Sequence, residues 1–298
     1  MRIPEKLKKG NKIGLISTAR KISLVELDPA IQLLNSWGLE VVFSENLFNE
    51  DNQFSGTERQ RTADLQGMID DESIKAIFCV RGGYGTVQII DNINFSNLKK
   101  TPKWIIGYSD VTVLHSHLHN LGIATLHASM PINFPTNTTE SLDSLRNCLF
   151  GEDYVIECNP HEFNNNGKVI AEIIGGNLSI LYSLLGSKSD INTDGKILFI
   201  EDLDEYLYHI DRMMMNLKRN GKFDKLRGLI VGSMSDMNDN TIPYGKTAEE
   251  IVLSYFKEYD VPICFSFPSG HLDDNRCIKL GVKSILNIDE NGVNLSQP

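Results

Sequence analysis

The sequence predicts an α/β protein whose first part is built on a parallel sheet, followed by a second, smaller α/β domain. Three observations lead there. Short apolar runs alternate with amphipathic stretches along the first half. Most of the apolar runs stop at glycine, serine or charged residues, where a strand would turn. A polar segment, NPHEFNNNGK over 159–168, then separates this pattern from a second round of the same alternation.

In order, NKIGLISTA reads as a strand, and Ser23 to Trp37 carries apolar residues at helical spacing and ends at Gly38. LEVVFS is a second strand, Thr57 to Ile69 a helix, and IKAIFCV a third strand that stops at Arg81-Gly-Gly-Tyr-Gly85. KWIIG is a fourth strand, followed by a helix over about 110–121, and IATLHAS a fifth. Strands alternating with helices imply a parallel sheet covered on both faces, with ligands bound beyond the carboxyl ends of the strands. That rule places Ser17-Thr18, the glycine loop 81–85 and Tyr108 to Asp110 on one rim. The expected domains are 1–158 and 169–298, joined by 159–168. The second contains KVIAEIIGG, a helix opening at Asn177, KILFIED, a helix over about 204–219, RGLIVG, a helix over 246–259, VPICFSF and a terminal hairpin turning at Glu290-Asn-Gly.

Composition narrows the function. The 298 residues carry a formal net charge of −10, which argues against a nucleic-acid partner and against adhesion to an anionic membrane. Neither a signal-peptide pattern nor an apolar run of membrane-spanning length is read in the sequence. The five cysteines are scattered without C-x-x-C spacing, so a reducing cytoplasm is the expected location and small buried hydrophobes their expected role.

Chemistry concentrates at the strand ends. Ser109 lies in GYSD, on a strand-to-helix turn that lifts a hydroxyl clear of the sheet and aims helix N–H groups at the same point. The match to G-x-S-x-G is partial, since Val111 replaces the second glycine. Helix capping by Ser109 or Asp110 explains the same residues, and local sequence leaves both readings open. The RGGYG loop on the neighbouring strand supplies backbone that can approach a ligand closely. It lacks the G-x-x-x-x-G-K-[ST] and G-x-G-x-x-G patterns of nucleotide cradles.

Seven histidines are candidate bases. His115, His117 and His119 form H-x-H-x-H, which could hold a metal but is expected to be a set of helix-surface residues. His127 near the rim reads either as a satisfied core histidine or as a site residue. His161 and His209 have no special context. His271 lies in a polar loop, PSGHLDDNR, after the strand VPICFSF, where catalytic bases tend to sit. Glu201 and Asp202 end the apolar strand KILFIED, so either could orient a base. Asp204 and Glu205 are placed to serve the following helix N-terminus.

Together, GYSD at 107–110, RGGYG at 81–85, GGNLS at 175–179, a strand-terminal ED followed by YHIDRMMMNL, and GHLDDN at 270–275 resemble the LD-carboxypeptidases of serine peptidase family S66, the murein tetrapeptide carboxypeptidases and their microcin-immunity relatives. The resemblance runs in order through nearly the whole chain. It implies a flavodoxin-like N-terminal domain, a cytoplasmic homodimer, and a Ser–Glu–His triad at Ser109, Glu201 and His271. It also implies oxyanion donors at the backbone N–H groups of Gly83 and Asp110, a murein peptide substrate, and neither metal nor cofactor. Arg81, Tyr84 and Asn177 are the expected substrate contacts. IEDLDEYLYHIDRMM resembles the murein-recycling branch. One departure is Ile278-Lys-Leu-Gly281, where many relatives carry a proline before the Leu/Ile-Gly. Outside the family, the histidine run suggests a metallohydrolase, and the glycine loop a non-catalytic binding protein.

Overall fold

The computed structural model describes residues 1–298 as two sheets with helices packed on them. The first half contains β1 (Lys12–Ile16), α1 (Leu24–Ser36), β2 (Glu40–Phe43), α2 (Glu58–Asp70), β3 (Ile74–Cys79), α3 (Thr86–Ile89), α4 (Ser96–Lys100), β4 (Trp104–Gly107), α5 (Thr112–Asn120), β5 (Thr125–His127) and α6 (Thr139–Phe150). There follow β6 (Val155–Cys158), β7 (Gly167–Asn177), α7 (Leu178–Ser183), β8 (Ile197–Leu203), α8 (Leu207–Arg219), β9 (Gly228–Ser235), α9 (Ala248–Phe256), β10 (Ile263–Cys264), β11 (Ile278–Leu280), β12 (Lys283–Asp289) and β13 (Gly292–Ser296).

The five N-terminal strands pair in parallel in the order β2-β1-β3-β4-β5. This is the flavodoxin-like order, whose chain reversal at β1/β3 opens a crevice at the carboxyl ends of the strands. Leu15, Phe78 and Ile106 pack on one face against Leu27 and Leu34 of α1. Ile16, Ile77 and Ile105 pack on the other, with Leu65 of α2 and Leu114 of α5. Capping boxes start α1 (Ser23 with Glu26) and α2 (Thr57 with Gln60).

The second sheet runs β10-β9-β8-β7-β12-β13-β6. Its β7-to-β10 part is parallel, and its β7-β12-β13-β6 part is antiparallel, with only β12 and β13 joined as a hairpin. The apolar stripe Ile210, Met213, Met214 and Leu217 of α8 fills the core beneath β8 and β9.

Sheet membership differs from the expected division at 159–168. Val155–Cys158 already pairs with β13, while Ile278–Leu280 returns to add an antiparallel strand beside β5. The polar segment is folded onto the second sheet. Asn165 bridges Ile263, its amide donates to Val261 O, and Asn164 Oδ1 accepts from Phe265 N–H. Asn164 and Asn165 are hydrogen-bond partners, which composition alone cannot distinguish from a solvated linker. The expected strand VPICFSF shortens to Ile263–Cys264 because Ser266 adopts a left-handed φ of 51°. The helix expected from 204 begins at Leu207, after Asp204 with φ 55°. Four of the five cysteines are buried, and all are free.

Candidate active site

A cleft of about 590 Å³ lies where the two sheets meet. Its walls include Arg20, the Arg81–Tyr84 stretch, Tyr108 and Ser109 from the first sheet, and Asn177, Asp202 and His271 from the second. A larger groove of about 690 Å³ runs over the antiparallel strands and includes Glu157, Lys168 and Asn294. Cys158 and Ser296 border it, but no histidine does, so neither has a basic imidazole beside it there.

Ser109 follows β4 with φ 61°, a strained backbone for a serine, and starts the turn that leads into α5. Gly107 makes the turn possible. At φ 155°, a Cβ there would lie 2.7 Å from Val111 Cγ2. Val111, which breaks the G-x-S-x-G pattern, is thus buried against the first glycine. Neither Ser109 nor Asp110 accepts a capping hydrogen bond from an N–H of α5. The Asp110 carboxylate is buried and bonds elsewhere, accepting from Thr86 N–H (2.8 Å) and Thr86 Oγ1–H (2.6 Å). Buried Arg61 donates to Thr18 O (2.8 Å) and Gly85 O (3.0 Å). Together these groups pin the glycine loop to the turn that bears Ser109. On that loop, a Cβ at Gly82 would come 3.1 Å from Ser109 Oγ, and Gly83 has φ 117°.

On the opposite wall, β8 pairs regularly with β9 up to Ile200 and resumes at Asp202 after a register shift. Such irregularities re-aim side chains. Here the two adjacent carboxylates meet different partners. Glu201, fully buried, accepts from His271 Nδ1 at 2.6 Å. Burial alone would raise the Glu201 pKa, but the charge of His271 first, then the proximity of His127 and the hydrogen bond from His271, hold it down at about 2. Burial opposes protonation of His271, yet the Glu201 charge and hydrogen bond carry its pKa above the usual 6.5.

Asp202 accepts from Asn177 Nδ2 (2.9 Å) and Ser179 N–H (2.8 Å) and so anchors the start of α7. Burial, then the neighbouring Glu201 charge, pushes it up to about 7.

The His271 loop is fixed by Gly270 N–H to Asn275 Oδ1 (2.9 Å) and Ser235 Oγ–H to His271 O (2.7 Å). Gly270, at φ 122°, lies so close to β8 that a Cβ would sit 2.9 Å from Glu201 Cβ. The Tyr108 ring packs on the His271 imidazole at 4.7 Å between centroids. Ser109 and His271 therefore face one cleft from its two walls. No direct hydrogen bond joins them, and such bonds often tighten only once substrate is bound.

The expected binding residues divide. Tyr84 is exposed at the cleft, while the Asn177 side chain is occupied as the N-cap of α7 and as a donor to Asp202. Arg81 borders the cleft, but its Nη1 faces Lys21 O (3.2 Å) and Glu26 Oε1 (3.4 Å). Arg20, which the sequence reading missed, also borders the cleft and lies against Gly83 with no ion pair. Its position just beyond the rim residues Ser17-Thr18 was the available signal.

The H-x-H-x-H residues diverge. His115 is buried, not on the helix surface, with Nδ1 on Thr125 Oγ1 and Nε2 on Gly107 O. His117 bonds Ser189 Oγ, and His119 lies 3.6 Å from Glu172. His209 pairs with Glu205, and His161 packs on Phe163 and Phe265.

A serine on a strained strand-to-helix turn, facing a histidine–carboxylate pair across a cleft, defines the class: an α/β serine-type hydrolase. Sequence models of the LD-carboxypeptidase N-terminal and C-terminal domains match residues 13–128 and 171–286. The chain belongs to peptidase family S66, the serine-type LD-carboxypeptidases. It is 35% identical to the probable murein peptide carboxypeptidase of Bacillus subtilis (strain 168), covering 96% of this chain and 92% of that one. It is 28% identical to the murein tetrapeptide carboxypeptidase of Pseudomonas aeruginosa, over 92% of each chain. The fold is shared with muramoyltetrapeptide carboxypeptidase from Oxalobacter formigenes (TM-score 0.87, 22% identity, 96% and 99% coverage). It is shared equally with the microcin C7 self immunity protein MccF (TM-score 0.89, 21% identity, 100% and 99% coverage). No helix is long and apolar enough to cross a membrane.

Proposed function

We propose that this carboxypeptidase hydrolyses the L,D peptide bond of murein tetrapeptides and releases the terminal D-alanine. The observation that carries the reading is the 2.6 Å contact between His271 Nδ1 and Glu201 Oε2, in the cleft that also presents Ser109. The murein peptide itself is supported by the names of the sequence relatives. In this mechanism, His271 Nε2 takes the Ser109 proton as Oγ attacks the carbonyl carbon. The Gly83 and Asp110 N–H groups hold the developing oxyanion, each such donor contributing on the order of 3 kcal/mol. His271 then protonates the amine of D-alanine as the C–N bond breaks. A water, deprotonated by the same imidazole, hydrolyses the acyl-enzyme and restores Ser109. Glu201 keeps Nδ1 protonated, so that Nε2 is the basic nitrogen.

A carboxypeptidase must also hold the free carboxylate of its substrate. Arg20 suits this better than Arg81, whose guanidinium already faces a carbonyl and a carboxylate. The assembly proposed with this reading is a cytoplasmic homodimer; sedimentation of the purified protein tests the dimer, and cell fractionation the location.

The activity test incubates one preparation with a murein tetrapeptide and, separately, with a peptidyl-nucleotide of the microcin type. D-alanine release from the first and no cleavage of the second is expected. The reverse would replace the murein reading with the microcin-immunity one.

A further inference from the structure

His127 plays no part in the mechanism above, yet it sits next to its most buried charge. It ends β5, opposite Gly107 of β4 on one side and Ile278 of β11 on the other. Its side chain is fully buried, and neither ring nitrogen has a hydrogen-bond partner. Across from it, Glu201 uses Oε2 for His271, while Oε1 is buried and likewise without a partner. The two unpartnered groups face each other, with His127 Nε2 3.9 Å from Glu201 Oε1. The walls around the imidazole are aromatic: Phe199 edge-on at 4.8 Å, Tyr108 at 5.9 Å and His115 at 6.3 Å. Buried polar atoms are rarely left unpaired, and those that are call for an explanation.

Resting on the Ser109–His271–Glu201 reading, we infer that His127 is a positioning residue that holds the second oxygen of Glu201 through an Nε2–H donor. Closing the 3.9 Å gap to hydrogen-bond length takes a movement of about 1 Å. A carboxylate held at Oε1 cannot rotate away, so Oε2 stays on His271 Nδ1 and Nε2 of His271 stays turned to the cleft. The neutral Nε2–H tautomer is sufficient, and no proton moves through His127.

Packing and donation make opposite predictions for two substitutions. Phenylalanine fits an aromatic box but donates nothing, whereas glutamine fits it less well but brings an N–H of similar reach. Each variant is compared with wild type for melting temperature, for kcat and KM on the tetrapeptide, and for the rate at which a fluorophosphonate labels Ser109. Donation predicts that His127→Phe lowers kcat and the labelling rate about 10- to 100-fold with KM little changed, the range expected for one hydrogen bond to a charged group. It also predicts that His127→Gln recovers most of that loss, even if it melts lower. His127→Phe equal to or faster than His127→Gln would overturn the proposal. If neither variant folds, the ¹⁵N shifts of the wild-type histidines decide. A protonated Nε2 on His127 is expected, and an Nδ1–H tautomer would overturn the proposal. Labelling needs no peptide, so the order Gln above Phe without tetrapeptide cleavage would sink the substrate reading and leave this one standing.

Discussion

The two walls of the cleft are built by different means. On the first sheet, the features are local in sequence: a glycine two residues before Ser109, a left-handed φ at the serine, and a glycine loop after the neighbouring strand. On the second sheet, the arrangement depends on partners distant in sequence. Glu201 meets a histidine 70 residues away, and Asp202 meets an amide 25 residues upstream. Backbone geometry presents the proposed nucleophile, and long-range hydrogen bonds set the charges that would activate it. Adjacent carboxylates on one strand thus end up at about 2 and about 7.

The comparison is tested most severely on the first wall. Ser109→Ala is expected to lower kcat about a millionfold, as nucleophile removal does in another serine protease. Stopped assays for released D-alanine measure it, and near-normal turnover would mean that the strained turn serves only to start α5.

On the second wall, Glu201→Gln is expected to cost on the order of 10⁴ in kcat, as loss of the orienting carboxylate does in a comparable triad. The pH profile should move with it. In the wild type, kcat/KM should rise with pH through a histidine pKa above 6.5, because the base works only when neutral. Removing the Glu201 charge leaves burial dominant, so the acid limb should move to lower pH. An unmoved limb would separate His271 from Glu201 functionally, despite the 2.6 Å contact.

A smaller effect separates the two cationic residues of the first wall. Arg20→Ala should raise KM about 10- to 100-fold with little change in kcat, the range for losing a charged hydrogen bond. Arg81→Ala should raise it less, because Glu26 and Lys21 O already face that side chain. The opposite order would return the carboxylate contact to Arg81.

The smallest expected effect is on stability. Folded Asp202 titrates near 7 against 3.8 for a free aspartate, so the folded state binds more protons between those values. Its contribution therefore falls as pH rises through that window, by a few kcal/mol at most. Glu201 acts in the other direction and lower down, losing its contribution as pH falls from 4.5 toward 2. Asp202→Asn should flatten the decline between pH 4 and 7 in urea melts. An unchanged slope would mean that Asp202 is not held protonated.

The same contrast explains what could be read from the sequence. The strand-and-helix alternation and the rim positions of Ser109 and the glycine loop followed from periodicity and turn chemistry. Glu201 and Asp202 could not be told apart by position, since the register shift that separates their roles lies in the pairing of β8 with β9. The resemblance to a family made that choice. The H-x-H-x-H run reads as a set of helix-surface histidines, but Gly107 O and Thr125 give His115 two buried partners. The return of Ile278–Leu280 to the first sheet is a tertiary event with no local signal. Arg20 lies beyond the end of the strand whose rim the sequence defines, and only the fold brings it against Gly83.

The central claim is that Ser109 is the activated nucleophile of this cleft. Fluorophosphonate treatment followed by peptide mapping measures that directly. The account predicts a single adduct on the peptide containing Trp104 to His115, formed at a rate that falls sharply in Glu201→Gln. An active preparation with no adduct, or with its adduct on another residue, would contradict it.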